Sequence, residues 1–133
     1  GYVSGCALLA RREVFEDIGL LDPGYLMYCE DVDFCLRARR AGYRCVYEPE
    51  ALVWHKVSAS SGGGMTPFKL EHRLASTYRL FKRFRPLWWR IAIFPVHALG
   101  FVLLLAVLLL GGRWSLARGA VRGVLGLLRR GAR

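Results

Sequence analysis

Three carboxylates stand within four positions, Glu30, Asp31 and Asp33, between an aromatic stretch ending at Tyr28 and an apolar-periodic run that stops at Gly42. Two readings account for such crowding. In the first, Glu30 and Asp31 occupy the opening turn of a helix, where free N–H groups and the macrodipole favour anions. In the second, one carboxylate at the mouth of a cleft works as a general base. Asp31-Val32-Asp33 also has the form of a DxD cation site. Residues two apart on a helix point to nearly opposite faces, so these two cannot chelate one ion if the helix begins at or before Asp31. Asp33 is then a partner for Arg37 at i,i+4, and Asp31 is the exposed member.

His55 is the other chemically suggestive residue. It closes an apolar run and precedes Lys56–Gly64, a polar, glycine-rich loop. The histidine is either a strand-end residue or a metal ligand, and the loop is either a linker or a phosphate-cradling lid.

The elements that must position these groups follow from the hydrophobic pattern. Cys6–Ala10 reads as a buried strand, and Val14, Phe15 and Ile18 recur at helical spacing before Gly19. Asp22-Pro23-Gly24 carries turn chemistry, leaving Tyr25 to Tyr28 as a loop whose aromatics are either core or a platform for a sugar or apolar acceptor. Val32, Cys35 and Leu36 share a face of a helix from Asp31 to Ala41. Tyr43–Tyr47 and Ala51–His55 read as two β segments separated by Glu48-Pro49-Glu50.

Charge divides the chain. Residues 1–71 hold all ten acids and eight bases, whereas residues 72–133 hold twelve bases and no acid. The first part has the balance of a soluble domain and the second that of a membrane-associated segment. A long apolar run has no use on a phosphate-binding surface, so nucleic acid is not the expected partner. Cys6, Cys29, Cys35 and Cys45 form no CxxC pair. Reduced, mostly buried thiols on the cytosolic side of a membrane are expected. The chain starts at Gly1 without Met, and we expect it to be part of something longer.

In order, Gly5-Cys6-Ala7-Leu8-Leu9-Ala10-Arg11-Arg12-Glu13-Val14-Phe15, Ile18-Gly19-Leu20-Leu21-Asp22, Tyr28-Cys29-Glu30-Asp31-Val32-Asp33-Phe34-Cys35-Leu36-Arg37, Ala41-Gly42-Tyr43-Arg44, Pro49-Glu50-Ala51 and His55 resemble the C-terminal half of family 2 glycosyltransferases. The rhamnosyltransferase-like and galactofuranosyltransferase-like bacterial members are the most similar in wording, over residues 1–90. The resemblance implies an α/β, Rossmann-like GT-A fold whose upstream half binds a nucleotide sugar through its own DxD and metal. It implies Asp31 as catalytic base with Glu30 beside it. Gly5, Cys6, Tyr28 and Lys56 are implied as substrate contacts, and His55 as a ligand of a divalent cation, Mg²⁺ or Mn²⁺. Leu21, where Phe is common, and Leu26, where an aromatic often stands, depart from the family wording and bear on acceptor preference.

The expected activity is inverting transfer of a sugar to a polyprenyl-diphosphate-linked or polysaccharide acceptor in cell-envelope glycan synthesis, at the cytoplasmic face of the inner membrane. A noncatalytic membrane-anchored adaptor is the alternative. On this reading residues 1–65 are the acceptor and catalytic part of the GT-A domain, and residues 66–90 a basic juxtamembrane helix. In the latter, Leu70, Leu74, Tyr78 and Phe81 share one face, leaving Arg73, Lys82, Arg83 and Arg85 for lipid phosphates, and Lys69 could close over a leaving diphosphate. Residues 91–112 are uncharged and span about 33 Å at ~1.5 Å per residue, enough for a transmembrane helix flanked by Trp88, Trp89 and Trp114, with a kink expected at Pro95. Residues 113–133 read as an amphipathic basic helix lying on anionic lipid.

Overall fold

The computed structural model describes residues 1–55 and 63–131, with side chains through Gly126. Five helices follow one another: α1 (Arg12–Ile18), α2 (Glu30–Arg40), α3 (Pro67–Phe84), α4 (Leu87–Leu110) and α5 (Trp114–Gly131). α1, α2, α3 and α5 lie where the apolar periodicity puts a helix, and α4 covers the uncharged run from Ile91.

No β-strand forms among the described residues, so the β part of the expected α/β class, at Cys6–Ala10, Tyr43–Tyr47 and Ala51–His55, is not seen. The physical reason is that a strand is stable only against a partner that pairs its N–H and C=O groups. Val46, Tyr47, Leu52, Val53 and Trp54 are all exposed, the last at 90%. These segments have strand composition without a neighbouring strand.

Two apolar clusters organise the helices. In the first, Val14 of α1 packs on Phe34 and Ala38 of α2, with Leu8, Ala10, Phe15, Ile18 and Tyr43 around them. Phe15 and Phe34 meet with centroids 5.1 Å apart, and each buried Phe, Val or Leu side chain contributes about 1.5–3 kcal/mol. Gly19 and Gly42, both at positive φ, end these two helices as their sequence positions suggest.

In the second cluster Leu70 (α3), Leu108 (α4) and Leu116, Ala117 and Ala120 (α5) are buried together, with Leu74, Phe101, Leu104 and Leu105 against them. Thr66 caps α3, its hydroxyl accepting from the Lys69 amide, and Pro67 occupies the first turn. The α3–α5 contact is close because of two glycines. A Cβ on Gly119 would lie 2.7 Å from Pro67 Cα, and one on Gly123 would lie 2.8 Å from the Glu71 carbonyl oxygen. Both numbers rise together, so α3 and α5 run parallel. On the apolar face of α5 expected to rest on lipid, Leu116, Ala117 and Ala120 are buried against protein, whereas Val121 is exposed.

α4 has 24 residues and is long and apolar enough to cross a membrane, with 6% of its most apolar window buried. It starts earlier than expected and takes in Trp88, Trp89 and Arg90, while Pro95 lies within it without ending it.

Candidate functional site

α2 opens abruptly. Tyr28 and Cys29, neither of them glycine, both have φ of 67°, and Glu30 is already helical. Left-handed conformations cost a non-glycine residue about 1–3 kcal/mol each and persist only where surrounding contacts hold them. The contacts come from α3. Ser76 Oγ donates to the Met27 carbonyl at 2.7 Å, and Thr77 Oγ1 lies 4.0 Å from Cys29 Sγ. Burial is the main cause pushing the Cys29 thiol above its usual range, so it stays protonated rather than nucleophilic.

The consequence is to set Asp31 at the helix start with its carboxylate gripped from two directions. Gly5 N–H donates to Oδ2 and Val32 N–H to Oδ1, both at 2.8 Å. A Cβ on Gly5 would stand 3.3 Å from Asp31 Cβ, so that approach suits a residue without a side chain. An ionised carboxylate offers about four lone-pair sites. These two bonds leave half of them on a side chain that is only half-buried. Glu30, next to it, has Oε2 shut from water without a hydrogen-bond partner among the described residues.

Asp33 points the other way, as the helical period requires. It is fully buried, with Arg37 Nε 2.8 Å from Oδ2 and Arg83 Nη1 3.2 Å from Oδ1. The Tyr25 hydroxyl donates to Oδ1 at 3.3 Å, and burial followed by the Asp33 charge raises the tyrosine's pKa above its ordinary value. Arg37 also donates to the carbonyls of Ile18 and Leu20 behind α1. Asp31 and Asp33 therefore do not form one cation site, as the spacing argument expected, and Asp33 pairs with Arg37.

Asp22 completes the frame. Its Oδ1 accepts from Gly24 N–H at 2.8 Å, and its carboxylate meets Arg79 at 3.1 Å and Arg83 at 2.8 Å. The Gly24 amide bond, then Arg79, hold its pKa below the usual value. Arg79 also stacks over the Tyr25 ring at 5.3 Å. Tyr25 is thus core, whereas Leu26 is 70% exposed and Tyr28 half-buried at the loop tip. Sequence reasoning missed this clamp of Arg79, Arg83, Ser76 and Thr77. The one signal for it was the acid-free second half of the chain facing the acid-rich first half.

The other expected residues are placed as follows. Gly5 lies against Asp31, and Cys6 beside it is exposed, so the thiols are not uniformly buried. Cys35 is buried, taking the Val3 amide at 3.4 Å and close to Cys45, whose thiol donates to the Cys35 carbonyl. His55 is exposed on the unpaired 51–55 segment. Among the described residues no three His, Cys, Asp or Glu side chains come together to hold a metal ion. Lys56 and most of the loop after it lie outside the described residues. Lys69 is not available to close over a diphosphate. It is 3% exposed and its Nζ donates to the carbonyls of Gly63 and Gly64, which need a partner where they are. Arg83, assigned above to lipid phosphates, is committed to Asp22 and Asp33.

The profile of the family described as Glycosyltransferase like family 2 matches residues 2–74, more than half of the chain and all of the carboxylate site. The chain belongs to glycosyltransferase family 2. It is 39% identical over 90 residues to the N-acetylglucosaminyl-diphospho-decaprenol L-rhamnosyltransferase of Mycobacterium tuberculosis, covering 68% of this chain and 29% of that protein. It is 35% identical over 86 residues to rhamnosyltransferase WbbL of Escherichia coli, covering 63% of this chain and 31% of that protein. A shorter match, 41% over 39 residues, joins it to the low-salt glycan biosynthesis hexosyltransferase Agl10 of Haloferax volcanii, with 29% and 13% covered. The chain thus spans less than a third of the length of these relatives. No solved structure matches it. The matched span contains the strained turn, Asp31 and its partner Gly5.

Proposed function

We propose that the chain is the acceptor-side and catalytic part of an inverting glycosyltransferase, with Asp31 as the general base. The observation that carries this reading is the carboxylate of Asp31, half-exposed and held by the Gly5 amide at 2.8 Å directly after two left-handed residues. Strain maintained at one point by a clamp from a distant helix is the mark of a position whose geometry matters. An acceptor hydroxyl entering beside Tyr28 and Cys6 would give its proton to a free lone pair of Asp31 as its oxygen attacks the anomeric carbon of the donor. The nucleoside diphosphate departs from the opposite face, so configuration inverts. Glu30 orients the base, and holding the hydroxyl in line supplies much of the rate.

The donor is proposed to be a nucleotide sugar and the acceptor a lipid-linked diphosphate glycan in cell-envelope synthesis, because the name of the Mycobacterium tuberculosis relative joins rhamnosyl transfer to a diphospho-decaprenol. Since this chain covers 29% of that relative, donor binding is proposed to need residues beyond these 133, and the chain alone to be inactive. A divalent cation, Mg²⁺ or Mn²⁺, with His55 as one ligand and Lys56 beside the diphosphate, belongs to the same proposal. The described residues do not by themselves build that cation's site, and none of the steps above passes through it. α4 is proposed to attach the protein to the inner membrane with the carboxylates on the cytoplasmic side, where nucleotide sugars are made. Replacing Asp31 by Asn in the complete transferase tests the reading. Loss of turnover with donor binding kept supports it, and full turnover rules out Asp31 as the base.

A further inference from the structure

α3 is held on two sides at once, which restricts how the apolar helix beside it can meet a bilayer. On one side Ser76, Arg79 and Arg83 bind the Met27 carbonyl, Asp22 and Asp33, and so carry the carboxylate site. On the other, Leu70 and Leu74 pack in the cluster that contains Leu104, Leu105 and Leu108 of α4. At the far end of α3, the Phe81 ring lies 5.6 Å from Trp89 and 5.8 Å from His97. The start of α3 meets the end of α4 and the reverse, so α4 runs antiparallel along α3. A crossing α4 in this packing would draw α3 into the hydrocarbon, and with it Arg79, Arg83 and the acids they bind. Charged groups at that depth are strongly disfavoured.

We propose that α4 lies in the plane of an anionic lipid surface rather than across it, its uncovered face in the acyl layer and the basic helices α3 and α5 at phosphate level. The uncovered face is apolar, with Ile91, Phe94, Leu99 and Val107 each more than 60% exposed. Its border is cationic. A groove of about 520 Å³ between α4 and α5 sets Leu105, Leu109 and Val121 beside Arg118 and Arg122, with Trp114 at its edge. Guanidinium groups over an apolar floor match a phosphate over its acyl chains. Residues 72–133 hold no acid that could neutralise those arginines locally, so the complementary charge comes from the lipid. Helix length alone does not separate a crossing helix from an in-plane one. The two-sided use of α3 separates them.

This inference rests on the membrane attachment proposed above. Its test reads topology and not sugar transfer, so the two fail separately. The 133-residue chain carrying Ser115→Cys is bound to sealed vesicles of phosphatidylcholine with phosphatidylglycerol and treated from outside with a membrane-impermeant maleimide. Labelling at each cysteine is read by mass spectrometry. Cys6 precedes α4 and is exposed, and position 115 follows it and is also exposed. In-plane binding puts both on the outer side, so each should reach at least four fifths of its value in detergent, to order of magnitude of the method. A crossing helix leaves one or both at about half or less until detergent is added, which overturns the proposal. Binding should fall about tenfold or more on pure phosphatidylcholine vesicles and in Arg118→Gln/Arg122→Gln. Equal binding in those cases, or a chain that stays off all vesicles, also overturns it.

Discussion

Asp33 and Arg83, from helices far apart in sequence, meet at 3.2 Å, and the same guanidinium reaches Asp22 at 2.8 Å. Through this one side chain α3 fixes both the turn before the carboxylate loop and the helix after it. The base proposed at Asp31 is thus positioned by a frame in which Asp31 itself takes no part, and the frame and the base can be tested separately.

The frame comes first. Arg37 is 13% exposed and faces a fully buried carboxylate, so Arg37→Ala should destabilise the α1–α2 unit by about 3–5 kcal/mol by leaving Asp33 poorly paired. Arg83, at 40% exposed, is partly screened, and Arg83→Ala should cost no more than about 1 kcal/mol. Urea unfolding of the two variants measures the order. A larger loss at Arg83 would contradict this account of the frame.

Asp22 gives the frame a pH dependence of known sign. Its folded pKa is held below the ordinary value of 3.8. A depressed carboxylate contributes stability that is present above its unfolded pKa and is lost as pH falls through the folded one. Acid should therefore loosen α3 from the Asp22 turn below about pH 4, from the same linkage. Asp22→Asn should be less stable than the parent at neutral pH and lose less on acidification. Parallel stability curves for the two proteins between neutral pH and pH 2 would contradict the assignment.

Much of this arrangement was legible in the sequence. Four of the helices follow from apolar spacing and from stops at Gly19, Gly42 and Pro86, and α4 from a long uncharged run, because both patterns are local properties. The opposition of Asp31 and Asp33 also follows from helical geometry alone. The clamp was not legible, since pairing Arg79 and Arg83 with Asp22 depends on how α3 docks, which no local pattern encodes. The segments 43–47 and 51–55 read as strands from composition, but pairing is non-local and their partners are not among the described residues. What covers the apolar stripe of α5 was not legible for a related reason. An apolar stripe at helical spacing does not say whether lipid or another helix covers it.

The α3–α5 contact depends on glycine. Gly123→Val should place side-chain atoms against the Glu71 carbonyl, where a Cβ alone would stand 2.8 Å away, and cost about 1–3 kcal/mol through overpacking. Gly126, with nothing near its would-be Cβ, should accept Ala with little change. Thermal unfolding in mild detergent compares the two, and equal melting temperatures would contradict parallel packing at this crossing.

His55 carries the cation part of the proposal. His55→Ala in the complete transferase should raise the Mn²⁺ concentration needed for half-maximal turnover by about tenfold or more while saturating metal restores most of the rate. An unchanged metal titration would make His55 a surface residue of an exposed segment.

The most direct test is the base itself. Asp31→Asn keeps the shape of the side chain and an oxygen for the Gly5 amide but cannot take a proton at neutral pH. In the complete transferase, turnover and nucleotide-sugar affinity should be measured together. The account predicts a fall in kcat of about 10²–10⁴-fold with donor Kd within about threefold of the parent, a change below 1 kcal/mol. A variant that turns over within a few fold of the parent rate would contradict Asp31 as the base.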